Sequence, residues 1–217
     1  HQIVRAALDL ALRRELIGRN VADNEHLRPS RSGKAVARIW TESELARFLD
    51  IAHTHRLYPA LHLAAHTGMR RGEIAGLKWH DLDTRANRLS IRRTLQCVGG
   101  TATEFGPKTR TSRRTVELDA ATVAHLQRWR QRPERDGLPA RIDDWTFCNS
   151  AGRYLNPQSI SQLFDRILAR TNIPRVRFHD LRHTHASLLI ADGEDVKVVS
   201  ERLGHAHPAF TMHTYQR

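Results

Sequence analysis

Thr67-Gly68-Met69-Arg70-Arg71-Gly72-Glu73-Ile74 is a glycine turn that opens a short helix. An apolar helical run, Pro59 to His66, leads into it. The amides at the start of the new helix favour a nearby phosphate, so the turn is expected to set Arg70 beside an anion. Glu73 stands three residues after Arg70, on the same helix face. An isolated Arg-x-x-Glu is usually a surface pair. Here Glu73 reads as the partner that orients an arginine rather than as a catalyst.

A second basic element lies further along, in His179-Asp180-Leu181-Arg182. His179 and Arg182 are i and i+3, so both would project from one helix face toward a single anion. Lys108, His205 and Tyr215 extend the set. Two arginines can hold the non-bridging oxygens of a phosphodiester, a lysine can protonate a leaving alkoxide, histidines can move protons, and a tyrosine can be the nucleophile. Such chemistry needs no paired carboxylates for metal ions.

Taken in order, these residues resemble the signature of the tyrosine recombinase family, the integrases of phages and mobile elements. That signature is an arginine after a Thr-Gly turn, a lysine in a β-hairpin, His-x-x-Arg, a Leu-Gly-His triplet and a tyrosine about ten residues later. The chain supplies Arg70, Lys108, His179 with Arg182, Leu203-Gly204-His205, and Tyr215. The resemblance runs from about Arg38 to the end. It implies an α+β fold, mostly α-helical with a small antiparallel β-sheet, with a catalytic domain over residues 36–217. Residues 1–35 would be the end of a core-binding domain and its linker.

The resemblance also implies roles. Tyr215 would attack the scissile phosphate, leaving a 3′-phosphotyrosyl bond and a free 5′-hydroxyl. Arg70 and Arg182 would stabilise the phosphorane, with His205 donating another hydrogen bond. Lys108 would act as general acid and His179 as general base. Double-stranded DNA attachment sites are the expected partner, bound by a homotetramer across two paired sites, with no metal, nucleotide or other cofactor. A type IB topoisomerase would use much the same site while acting alone. A non-catalytic DNA-binding module is the remaining alternative, but binding has no need of a nucleophile.

Composition agrees with a polyanionic partner. Lys and Arg number 35 against 23 Asp and Glu, a formal charge of +12 over 217 residues. The two cysteines, Cys97 and Cys148, show no Cys-x-x-Cys spacing, so neither a disulfide framework nor a zinc ribbon is indicated. A reducing cytoplasmic setting is expected, and no apolar run reaches membrane-spanning length. The chain starts with His1 rather than methionine and stops two residues after Tyr215, so it reads as a cut protein, monomeric on its own.

The remaining elements follow from period and breakers. Ile3, Ala7, Leu8, Ala11 and Leu12 make a first helix, and Arg28 to Lys34 reads as a linker. Thr41 and Glu44 form a capping box ahead of the stripe Leu45, Phe48, Leu49 and Ala52. From Leu89 to Leu118 the period changes to two, giving a hairpin or small sheet with Lys108 at its return. Arg71, Arg110, Arg113 and Arg114 are the candidates for lining DNA. Helices are expected over 120–130, after Asn156-Pro157, from His179 to Ala191, and from Val196 to the stop at Gly204. Histidines 179, 183, 185, 205, 207 and 213 invite a zinc site. Only His179 and His183 have helical i, i+4 spacing, and no carboxylate or cysteine set completes one. The four tryptophans read as core or interface.

Overall fold

Thr41 Oγ1 accepts from the Glu44 amide while the Glu44 carboxylate accepts from the Thr41 amide, and α2 (Glu42–Ala52) starts on that reciprocal cap. The computed structural model describes residues 2–24, 38–99, 101–106, 113–135 and 144–204. It divides into two units, His1–Val36 and Ala37–Arg217. In the first, α1 (Gln2–Arg13) is followed by a short turn of 3-10 helix, Val21–Asp23. Asn20 joins the two, donating to the Arg5 carbonyl at 3.1 Å and to Asp9 at 2.6 Å while capping Ala22. The linker expected over 28–34 lies outside the described residues.

In the second unit α3 (Tyr58–Thr67) carries Pro59 in its first turn and ends at Gly68, in the left-handed region at φ +62°. A Cβ there would also stand 2.5 Å from Leu203 Cδ2, so both backbone and space demand glycine. The short α4 (Arg71–Ala75) follows at once. The strands come next: β1 (Leu82–Asp83), β2 (Arg88–Ile91), β3 (Thr94–Val98), β4 (Thr101–Phe105) and β5 (Arg114–Glu117). Among the described residues four helices follow: α5 (Ala120–Arg135), α6 (Pro157–Leu168), α7 (Asp180–Ala191) and α8 (Val196–Leu203).

The fold is α+β and mainly helical, as the sequence implied, but the strands among the described residues form two antiparallel sheets. One has the order β1-β2-β5, with Leu89 opposite Val116; the other is the hairpin β3-β4, with Cys97 opposite Ala102. The glycine-bearing segment after Cys97 is therefore a tight turn, with Gly99 at φ +58°. α5 continues five residues past the expected Arg130.

The main core of the second unit gathers α2 to α6, the start of α7 and the three-stranded sheet, and a smaller cluster of Ala186, Val199 and Leu203 joins α7 to α8. Trp40, Phe48 and Phe164 interlock in the main core with ring centroids 4.8–5.7 Å apart. All four tryptophans are buried, and Trp40 Nε1 donates to the Pro174 carbonyl at 2.8 Å. Fully burying such side chains contributes about 1.5–3 kcal/mol each. No helix of the described residues is long and apolar enough to cross a membrane.

Candidate active site

Arg70 is the extended residue immediately before α4. Its amide donates to Glu73 Oε2 at 2.8 Å and its Nη1 to Oε1 at 2.9 Å. A second guanidinium reaches the same carboxylate from the first position of β5. Arg114 Nη1 and Nη2 bind Oε1 and Oε2 at 3.1 and 2.9 Å, the parallel fork that guanidinium and carboxylate match best. Burial pushes the Glu73 pKa up, but Arg114 and Arg70 more than offset it and hold the carboxyl below its usual range. Arg114, placed by the sequence among the DNA-lining residues, is turned inward instead, with only 5% of its side chain exposed. The physical reason is Glu73, which needs a second cation once buried.

Arg182 is buried on α7 and bridges two other elements. Its Nη1 donates to the Gly68 carbonyl at 2.8 Å and its Nη2 to the Leu203 carbonyl at 2.6 Å. Arg114 Nε meets the neighbouring Arg202 carbonyl at 2.7 Å. The last carbonyls of α8 have no partners within the helix and carry its negative end, so guanidinium donors from β5 and α7 satisfy them. Arg202 itself, which sequence reasoning missed, donates to the His66 and Glu117 carbonyls at 3.2 and 3.1 Å. Its only sequence signal is a cation in the last turn of a helix.

His179 sits at the N-terminus of α7, exposed, and lines a cavity of about 500 Å³ with Arg70, Arg71, Gln158 and Arg177. Partial desolvation, then the charges of His183 and Arg182, lower its pKa, which favours a neutral ring able to accept a proton. Arg71 is exposed and held by Gln158 at 2.7 Å, while Arg177 forks onto Asp180. Arg113 is exposed in a separate groove beside Arg92 and Arg93. The structure thus brings Arg70, Glu73, Arg182 and His179 around one turn. Lys108, Arg110, His205 and Tyr215 lie outside the described residues, as do His207 and His213.

His185 supports this arrangement from below. Its Nε2 accepts from Arg202 Nε at 3.2 Å, which requires a neutral ring. Burial, then Arg202 and His66, push its pKa down from 6.5 to about 3. The unfolded chain therefore binds this proton first, so stability is full above pH 6.5 and falls as pH drops toward 3. The loss approaches about 1.4 kcal/mol per pH unit. In urea titrations at stepped pH, His185→Gln should flatten that part of the stability curve. An unchanged slope would contradict the assignment.

Residues 38–217 match the profile of the phage integrase family. The chain is 30% identical over 192 residues to a XerC-like tyrosine recombinase of Caldanaerobacter subterraneus, covering 81% of this chain and 49% of that protein. It is 28% identical over 217 residues to the ICEBs1 integrase of Bacillus subtilis, covering 95% and 57% respectively. The chain thus spans about half the length of these relatives. Among solved structures, the Tn1549 transposon integrase in complex with a circular intermediate DNA superposes with a TM-score of 0.80 at 21% identity, over 97% of this chain and 71% of that one. A lambda integrase dimer bound to a COC′ core site gives 0.66 at 19%, over 98% and 70%. These two likenesses establish the fold.

Proposed function

This chain belongs to the phage integrase family, and from that premise we propose that it is the DNA-breaking and rejoining part of a site-specific tyrosine recombinase. The observation that carries the reading is the convergence on one turn. Arg182 binds the carbonyl of Gly68, two residues before Arg70, and Arg70 opens onto the same cavity as His179. Two guanidiniums and an imidazole gathered this way suit a phosphodiester whose charge grows during attack.

In this reading Tyr215 is the nucleophile and forms a 3′-phosphotyrosyl bond as the 5′-oxygen leaves. Arg70 and Arg182 take the developing charge on the phosphorane, His205 adds a hydrogen bond, and His179 takes the tyrosine proton. Lys108 gives a proton to the leaving 5′-oxygen. Rejoining is the reverse step, with an incoming 5′-hydroxyl, so the bond energy is kept and no nucleotide is consumed. The partner is a duplex attachment site of a phage or mobile element, two of which are paired by a homotetramer. Residues 1–35 supply the end of a second DNA-gripping domain, and Arg71 and Arg113, both exposed, are proposed to contact DNA.

The proton-donor step is open to a direct test. Lys108→Ala should slow cleavage about 10²- to 10⁴-fold, the usual contribution of a positioned acid, while leaving DNA affinity nearly unchanged. A substrate whose 5′-oxygen is replaced by sulfur needs no proton to leave and should restore most of the rate. A variant equally slow on both substrates would move the acid role to another residue.

A further inference from the structure

Two histidines one turn apart on α3, His62 and His66, meet Asp119 just before α5. We propose that His62, His66 and Asp119 bind a divalent first-row transition ion, with Zn²⁺ the best match to two imidazoles and a carboxylate. One ring nitrogen from each histidine and one Asp119 oxygen lie within 4.8 Å of one another. Tetrahedral zinc with bonds near 2.0–2.2 Å sets its donors about 3.4 Å apart, so the widest pair closes by no more than about 1.5 Å. Side-chain torsions can supply that.

The surrounding bonds already orient the donors. His66 Nδ1 donates to the His62 carbonyl at 3.0 Å, which fixes its tautomer and leaves the Nε2 lone pair available. A backbone carbonyl is a usual outer partner of a metal-binding histidine. Asp119 is held by Thr122, whose amide and hydroxyl both donate to the carboxylate at 2.7 Å. His62 Nδ1 faces the Tyr58 hydroxyl at 3.2 Å, and its Nε2 meets Thr122 Oγ1 at 3.0 Å. The ion replaces only that last bond, and the Tyr58 hydroxyl can then accept from Nδ1–H.

The two imidazoles are also stacked, centroids 3.9 Å apart at 23°, with His62 buried. A cation on one ring would press against the other, whereas an ion shared by both rings and the carboxylate satisfies all three. The ion would pin α3 to the start of α5, and so brace the helix whose last residue precedes Gly68. Water would fill the fourth position, and the bracing of α3 does not depend on the proposed recombinase chemistry.

The test is metal titration of the whole chain after EDTA treatment and dialysis. Zn²⁺ in a calorimeter should bind at one strong site, Co²⁺ should develop the visible absorption of a tetrahedral N/O site, and Zn²⁺ should raise the Tm. His66→Gln changes a half-exposed side chain, and Asp119→Asn retains an oxygen able to cap α5, so both variants should fold. Each should lose tenfold or more in affinity together with the Co²⁺ band. Absence of saturable binding, or binding that both variants retain, overturns the assignment.

Discussion

Glu73→Ala should destabilise the second unit by about 3–5 kcal/mol, the cost of stripping a buried charge of its partner. Arg114 would keep its inward position with no carboxylate to face, because Arg70, the other cation on Glu73, is 41% exposed and the Arg114 side chain only 5%. Against a typical total of about 5–15 kcal/mol this is a large fraction, and thermal unfolding should begin many degrees lower. Arg114→Met removes the second charge with a side chain of similar length. Combined with Glu73→Gln, it should cost clearly less than the two changes summed, by at least about 1 kcal/mol in denaturant titrations. Strictly additive costs would show that the two side chains do not share one buried pair. Arg70 loses its orienting partner in the Glu73 variants, so cleavage by the residual folded protein should also fall.

Local chemistry made much of this fold legible. The Thr41–Glu44 box, the Asn156-Pro157 start and the stops at Gly68 and Gly204 each act within four residues, and the elements begin and end there. Arg70 and Glu73 were readable for the same reason, being three apart on one turn. What could not be read was non-local. Thr101–Phe105 leaves most of its residues exposed, so no apolar alternation announces β4 or separates two sheets. Arg113 and Arg114 are adjacent and chemically identical, yet one faces solvent and the other a carboxylate 41 residues away. Arg202 and the His62, His66 and Asp119 group depend on helix packing in the same way. The sequence leads to the expectation that Arg182 holds an anion, but not that its side chain is buried on two carbonyls.

Tyr215→Phe should abolish covalent attachment to DNA altogether. The change removes a single oxygen, the atom proposed to form the bond to phosphorus, and leaves the rest of the side chain unchanged. In the proposed reading DNA binding draws on the net charge of +12 rather than on this one hydroxyl, so it should be nearly unaffected. Arg70→Ala and Arg182→Ala should cut the rate of attachment severely without removing the nucleophile, since each takes away a guanidinium from the growing charge on phosphorus. The deciding measurement is peptide mapping by mass spectrometry of the adduct trapped on a nicked duplex attachment site, with no nucleotide added. The proposal predicts a 3′-phosphotyrosyl linkage at Tyr215 in the parent protein and no adduct in Tyr215→Phe. An adduct that survives the substitution, or one mapped to another residue, would contradict it.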